Sequence, residues 1–190
     1  MMLADHEIEK AIEDEEIFIT PRISPKQLQP ASVDLMLGNE FKTYHRGTRI
    51  DPRLPTDTML HTDISLPNDP YILSPGKFVL ATTLEQVGLS DVIAARIEGK
   101  SSIARMGIIV HSTAGFIDPG FIGQITLELS NLNHMPVMLW PGMAICQISF
   151  TRISKVRRSY GDEALGSKYQ GQIGPTPTRA YRAWPTPFVP

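Results

Sequence analysis

The residues with the most chemistry to offer open at Lys100. Lys100-Ser101-Ser102 follows Gly99 and precedes a short helical-looking run, Ile103-Ala104-Arg105-Met106. A positive side chain, two hydroxyls and the free backbone N–H groups of a helix start suit a bound polyphosphate. The segment lacks the upstream glycine of the P-loop pattern, so a P-loop is excluded. Lys100 and Arg105 are also compatible with solvated charges, but their place around the two serines favours anion binding. Further on, Ala114-Gly115-Phe116-Ile117-Asp118-Pro119-Gly120 reads as a tight turn carrying one carboxylate. Asp118 is either a turn residue or a ligand group. The strand Gln124 to Ser130 alternates, with Ile125, Leu127 and Leu129 on one face and Thr126, Glu128 and Ser130 on the other. If that second face looks into a cleft, Glu128 is placed to shuttle protons; if it meets water, Glu128 is an ordinary strand residue, and alternation alone favours the latter. His111 stands at a strand end with no second histidine or carboxylate at metal-ligand spacing, which favours an orienting role over ligation.

These groups need a scaffold, and the chain offers mainly strands. Residues Ala4 to Glu15 carry Ile8, Ala11 and Ile12 at helical spacing, with Asp5 able to cap the first turn. Ala31 to Leu37 alternates and stops at Gly38-Asn39, so Phe41 to Tyr44 is expected as its hairpin partner. Arg46 to Pro70 shows little periodicity and reads as a long surface excursion. From Tyr71 to Ile153 short apolar runs alternate with turn signals, including Ser74-Pro75-Gly76 and Trp140-Pro141-Gly142. Strands at this spacing argue an antiparallel β-sandwich or jelly-roll-like barrel. Beyond Ile153 the composition turns to Gly, Pro, Thr and Gln, which favours a disordered tail; Tyr160, Lys168, Tyr169, Gln170 and Gln172 would equally let it fold over a ligand.

Composition sets the limits. A chain of 190 residues reads as one domain, 1–190, and can bury roughly 70% of its unfolded surface. A formal charge of −2 gives no basic stripe for a nucleic-acid polymer, so a small nucleotide is the better candidate. Cys146 is the single cysteine, which removes the thiolate zinc site of the usual nucleobase deaminases. The acidic start lacks an apolar signal core, and no run of about eighteen apolar residues occurs, so a soluble, cytoplasmic protein with no membrane partner is expected.

The segments GKSSIARMG, HSTAGFIDPGFIGQITLELSN, WPGM with Gln147, and GSKYQGQIGPTPTR, together with PASVDLMLG near the N-terminus, resemble in order the dCTP deaminase family of the trimeric dUTPase superfamily. The resemblance implies a mainly β, dUTPase-like antiparallel barrel, with an N-terminal helical segment over 1–20 and a C-terminal lid or tail over 155–190. It implies a homotrimer with active sites at subunit interfaces. Glu128 then matches the general acid/base that activates water for attack on C4 of cytosine without zinc. Lys100, Ser101, Ser102, Ile103, Ala104 and Arg105 match the phosphate-binding segment, Arg105 and Asp118 supporting the chemistry, and His111 and Ala114 orient water and base. Asp118 matches a carboxylate near the deoxyribose and α-phosphate, Thr126 and Leu127 offer backbone groups to the base, and Gln147, Tyr160, Lys168 and Gln172 match further nucleotide contacts. Mg²⁺ would arrive with the triphosphate rather than on a protein ligand cluster, and dTTP would act as feedback inhibitor.

Members of this family either stop at dUTP or also release dUMP and diphosphate. Gly115-Phe116 after Ala114 resembles the dUMP-forming type, because a small residue at 115 leaves room for a second water at the α-phosphorus. Hydrolysis of dCTP to dUMP, diphosphate and ammonia is therefore expected. A deaminase that stops at dUTP, a plain dUTPase, and a non-catalytic nucleotide sensor are the alternatives.

Overall fold

The computed structural model describes residues 1–47 and 49–183. Thr48, within the expected excursion, and 184–190, the end of the expected tail, lie outside the described residues. In chain order the elements are α1 (Asp5–Glu13), β1 (Ile17–Thr20), β2 (Leu28–Gln29), β3 (Ser32–Met36), β4 (Glu40–Tyr44), β5 (Leu60–Ile64), β6 (Tyr71–Leu73), β7 (Phe78–Leu89) and β8 (Ile93–Gly99). There follow α2 (Ser101–Ala104), β9 (Ile108–Ile109), β10 (Phe116–Ile117), β11 (Ile122–Asn131), β12 (Val137–Leu139) and β13 (Ala144–Arg152). One sheet runs β5-β4-β7-β11-β9 with β1 also on β7, a second runs β10-β8-β13-β3-β2, and β6 pairs β12. All the registered pairs are antiparallel, as expected.

Alternation places the core. On β11 the residues Ile125, Leu127 and Leu129 are buried while Thr126, Glu128 and Ser130 are half-buried. The buried side chains meet those of the second sheet, among them Leu35, Ile148 and Phe150, in one apolar cluster that α1 joins through Ile8 and Ala11.

Four expectations are corrected. The N-cap position of α1 is Ala4, whose backbone N–H donates to Glu7 Oε2 (2.8 Å), while Asp5 lies inside the helix and accepts the N–H of His6 (2.8 Å). β3 and β4 do not form a hairpin. At Leu37-Gly38 the chain leaves the β3 sheet, the Gly38 N–H donating to Thr82 O (2.8 Å), so β4 pairs β5 and β7 in the other layer. The excursion from Arg46 to Pro70 contains β5, an edge strand whose mixed exposure shows no alternation to read. The tail, expected to be disordered, packs on the first sheet, Gln170 and Gly174 bonding to β11.

One irregularity matters for the site. Between the pairs Gln124–Gln86 and Thr126–Thr82, one residue of β11 faces three of β7, Thr83 to Glu85. Thr83 closes this bulge by accepting the N–H of Ile125 (3.0 Å) and donating to Glu85 O (2.7 Å). The bulge turns the Glu85 side chain inward, where it is only 2% exposed.

Candidate active site

The cradle sits at the end of β8. Lys100 is extended, and the single turn of α2 begins with Ser101 and Ser102 exposed while buried Ile103 anchors it. With four residues, α2 brings little dipole, and what it offers is the side chains and first N–H groups of a single turn. Behind it, Lys100 Nζ pairs with Asp34 Oδ1 at 2.6 Å, the side chains being 21% and 10% exposed. Gln147 is engaged at both ends: Nε2 donates to Gly99 O (3.1 Å) and Oε1 accepts from Ser32 Oγ (3.0 Å). Here Gln147 fixes the backbone of the cradle. Asp34 is held in turn by a buried relay, since Gln27 Nε2 donates both to Asp34 O (3.1 Å) and to Glu85 Oε1 (2.8 Å), and Met36 N–H donates to Glu85 Oε2 (2.9 Å). Burial pushes the Glu85 carboxyl above its ordinary range.

Glu128 lies half-buried, not in bulk solvent, and its Oε2 accepts the N–H of Ser112 at 2.9 Å. That bond ties the carboxylate to the loop carrying His111, Ala114 and Gly115. Gly115 faces Ile97 closely: a Cβ there would stand 2.8 Å from the Ile97 carbonyl and 3.1 Å from two atoms of the His111 ring. Within this chain the space beside Gly115 is therefore filled by the imidazole and a carbonyl, which refines the expectation of room for a water. His111 Nδ1 is buried without a partner. Phe116 is exposed, with the Arg96 guanidinium 5.5 Å from its ring centre.

A cavity of about 360 Å³ opens between the turn that precedes β11 and the tail, lined by Asp118, Arg158, Tyr160, Ser167, Lys168 and Tyr169 among others. The Asp118-Pro119-Gly120 turn docks on the tail, the Tyr160 N–H donating to Pro119 O (2.7 Å). Gly120 has φ +88°, and a Cβ there would meet Ser159 Cβ at 2.5 Å. Tyr160 stands edge-on to Phe121 with ring centres 5.8 Å apart.

The tail then runs parallel along β11. Gln170 spans Gly120 O (2.9 Å) and Ile122 N–H (3.0 Å), Gln172 O accepts from Gln124 N–H (3.0 Å), and Thr176 N–H donates to Thr126 Oγ1 (3.1 Å). Gln172 Nε2 donates to Gln124 O (2.7 Å), so this side chain is committed to the sheet edge. Even-numbered residues of β11 direct their backbone groups away from β7, since Gln124 N–H reaches Gln172 O and Glu128 N–H reaches Val110 O (3.1 Å). By strand alternation Thr126 directs its own N–H and C=O into the gap between them. Leu127 is fully buried and points its side chain into the core.

The structure thus brings together Lys100, Ser101, Ser102 and Gln147 in one cluster, Glu128, His111 and Gly115 in a second, and Asp118, Tyr160 and Lys168 in a third. Val110 links the first two, lying 3.9 Å from the Cβ position of Gly99 and accepting from Glu128 N–H. Among the described residues no hydrogen bond or ion pair joins Ser101, Ser102 or Arg105 to Glu128. Sequence reasoning missed Asp34 and Glu85; an acidic residue inside the alternating run SVDLM was the available signal for Asp34, and the bulge hides any for Glu85.

A family model described as dCTP deaminase-like matches residues 2–153. This chain belongs to the dCTP deaminase-like family. It is 45% identical over 189 residues to a Salinispora arenicola protein named dCTP deaminase, dUMP-forming, covering 98% of each chain. It is 49% identical over 183 residues to a Dictyoglomus thermophilum protein of the same name, covering 94% of each. The family model stops before Tyr160, but these alignments extend over the tail. Among solved structures, the 2'-deoxycytidine 5'-triphosphate deaminase of Agrobacterium tumefaciens aligns with TM-score 0.63 and 25% identity over 80% of this chain and 48% of that one, so this chain spans about half its length. The dUTPase of Staphylococcus aureus phage phi11, 10% identical, shares the fold with TM-score 0.50 over 75% of this chain and 93% of its own. Among the described residues no helix is long and apolar enough to cross a membrane.

Proposed function

We propose that the protein hydrolyses dCTP to dUMP, diphosphate and ammonia. The observation that carries this reading is Glu128, half-buried and held by the Ser112 N–H on the strand that carries Thr126, in a chain whose relatives of 45–49% identity are named as dUMP-forming enzymes. Glu128 takes a proton from the attacking water and delivers one to the departing amine, so that water replaces NH₂ at C4 and ammonia leaves. Thr126 N–H and C=O read the pyrimidine edge, with Leu127 fixing the strand beneath, and His111 and Ala114 orient the water. A second water then attacks the α-phosphorus and diphosphate departs, with Asp118 beside the deoxyribose and Gly115-Phe116 shaping the approach. Lys100, Ser101, Ser102 and Arg105 bind phosphate with the Ile103-Ala104 backbone, and Gln147, Tyr160, Lys168 and Gln172 supply further nucleotide contacts.

The site completes itself between copies of the chain. Ser101, Ser102 and Arg105 are exposed and unconnected to Glu128, and Ile72 and Met138, a cross-strand pair, are each more than half exposed. A homotrimer that covers apolar surface and brings the cradle of one subunit to Glu128 of the next accounts for both. Mg²⁺ fits as a companion of the triphosphate: Asp118 is the one carboxylate among the residues lining the cavity, and a hard cation takes phosphate oxygens and one or two carboxylates. When bound, it neutralises phosphate charge. Cys146 offers no thiolate, since burial pushes its thiol up. dTTP, with the same triphosphate, is the expected feedback ligand, and a cytoplasmic nucleotide pool the expected setting.

Incubation with dCTP and Mg²⁺ followed by chromatography and ammonia assay tests the reading. Ammonia, dUMP and diphosphate are expected. Accumulation of dUTP without diphosphate leaves a deaminase alone, turnover of dUTP but not dCTP leaves a dUTPase, and no turnover of either leaves a nucleotide sensor.

A further inference from the structure

Lys168 lines the cavity from a stretch with no strand or α-helix to hold it; between Arg152 and Ala183 the only regular structure described is two short 3₁₀ turns, Glu163–Leu165 and Ala180–Ala183. What fixes it is Arg179. The guanidinium Nη1 donates to the Lys168 carbonyl (2.6 Å), and its carbon stands 5.9 Å from the centre of the Tyr169 ring. The Arg179 backbone N–H donates to Tyr169 Oη (3.1 Å), and the Tyr169 N–H donates to Tyr160 Oη (3.0 Å). One residue therefore grips the Lys168-Tyr169 pair from both ends, and the grip extends to the second tail residue of the site, Tyr160.

Arg179 is itself delivered rigidly. Pro175 and Pro177, both buried, fix the backbone of the segment leading to Arg179, and Thr178 Oγ1 accepts the Ala180 N–H (3.2 Å) just beyond it. Arg179 is half-buried and does not line the cavity. Its planar fork suits a carbonyl and a ring face together, which a lysine cannot satisfy equally.

We propose that Arg179 is a positioning residue for nucleotide binding, acting through Lys168: it closes the tail into a loop that presents the Lys168 ammonium to the phosphates. The inference rests on Lys168 contacting the nucleotide as stated under Proposed function. A double-mutant cycle tests it, with kcat and KM for ammonia release from dCTP measured on the full chain. Arg179→Met and Lys168→Met are each expected to raise KM about tenfold, a size typical of one charge-assisted contact. Arg179→Met should leave kcat within about twofold, because the groups at C4 are untouched. In the Lys168→Met background Arg179→Met should add less than about twofold, as expected for residues acting as a unit. Arg179→Lys, which keeps the charge and a donor, is expected to recover part of the loss and guards against a folding defect.

Effects that multiply towards about a hundredfold overturn the positioning role while leaving Lys168 as a ligand. An unchanged KM in Arg179→Met overturns it directly. If Lys168→Met alone leaves KM unchanged, the assignment of Lys168 falls and the inference with it, whereas ammonia release by the unsubstituted protein still reports on the proposed reaction.

Discussion

Gly115→Ala adds a methyl group where the chain has no space for it. The new Cβ would lie 2.8 Å from the Ile97 carbonyl oxygen and 3.1 Å from Cε1 and Nε2 of His111. The carbonyl cannot retreat, because Ile97 donates its N–H to Gly115 O (2.8 Å) and lies in β8 opposite Ile148 of β13. The loop and the imidazole must therefore move. Overpacking of this kind costs about 1–3 kcal/mol, and in a chain of this length each kcal/mol lowers the melting temperature by about 2–4 °C. Moving His111 also moves Ser112, whose N–H holds Glu128 at 2.9 Å. A displacement of about 1 Å at a proton-transfer group costs on the order of 10²-fold in rate. Gly115→Ala should thus lower kcat for ammonia release by about ten- to a hundredfold, with a smaller change in KM, since the atoms that a Cβ at 115 meets most closely belong to Ile97 and His111 and not to Lys100 or Asp118. Calorimetry and steady-state ammonia release measure the two effects. A variant that melts earlier yet turns over at the original rate would refute the link from Gly115 through Ser112 to Glu128.

Glu128→Gln keeps an oxygen for the Ser112 N–H but cannot carry a proton, so kcat for deamination should fall about 10²–10⁴-fold while nucleotide affinity by calorimetry changes little; turnover within tenfold of the original would defeat the assignment. Asp34→Asn removes the partner of a mostly buried Lys100, which should cost about 1–3 kcal/mol in urea unfolding and raise KM for dCTP severalfold; an unchanged KM would show that the pair only supports the fold. Glu85 gives a pH signature. Its carboxyl is raised by burial, so between its unfolded value near 4.5 and the higher folded one the native state binds more protons, and its contribution is complete at low pH and lost as pH rises through the folded value. The melting temperature of the unsubstituted protein relative to that of Glu85→Gln, followed from pH 4 upward, should fall across that interval; a constant difference would contradict it.

How much of this was legible in the sequence depends on whether position or contact decides the role. The alternation of β11 revealed which residues face inward because a strand has period two, and the structure buries Ile125, Leu127 and Leu129 accordingly. Alternation could not say what Glu128 faces, since that is set by where the Ser112 loop folds back, a contact sixteen residues away. The hairpin expected at Gly38 failed for a related reason: Gly38-Asn39 marks a change of direction, but whether the chain returns on its own sheet or crosses to the other is decided by Leu37 and Gly38 binding β7. The tail misled through composition. Few aliphatic side chains are needed to order it, because its glutamines and backbone groups bind the open edge of β11, and that edge exists only once the sheet has formed.

The two ends of the site are held in contrasting ways, and this predicts where ligand binding is felt. At the cradle, Lys100, Asp34, Gln27 and Glu85 form a chain of bonds that are mostly buried, where breaking one strands a polar group away from water. At the tail, Gln170, Gln172 and Thr176 make exposed or half-buried bonds along a sheet edge, where water can replace each partner at little cost. With the nucleotide bound as proposed, it meets a cradle already in place and a tail that it can tighten. Hydrogen exchange should accordingly slow on dCTP addition across residues 168–176 more than across β3 and β13, whose amides are already paired within the second sheet. Equal slowing at both ends would mean that the buried relay, too, is remade when substrate binds.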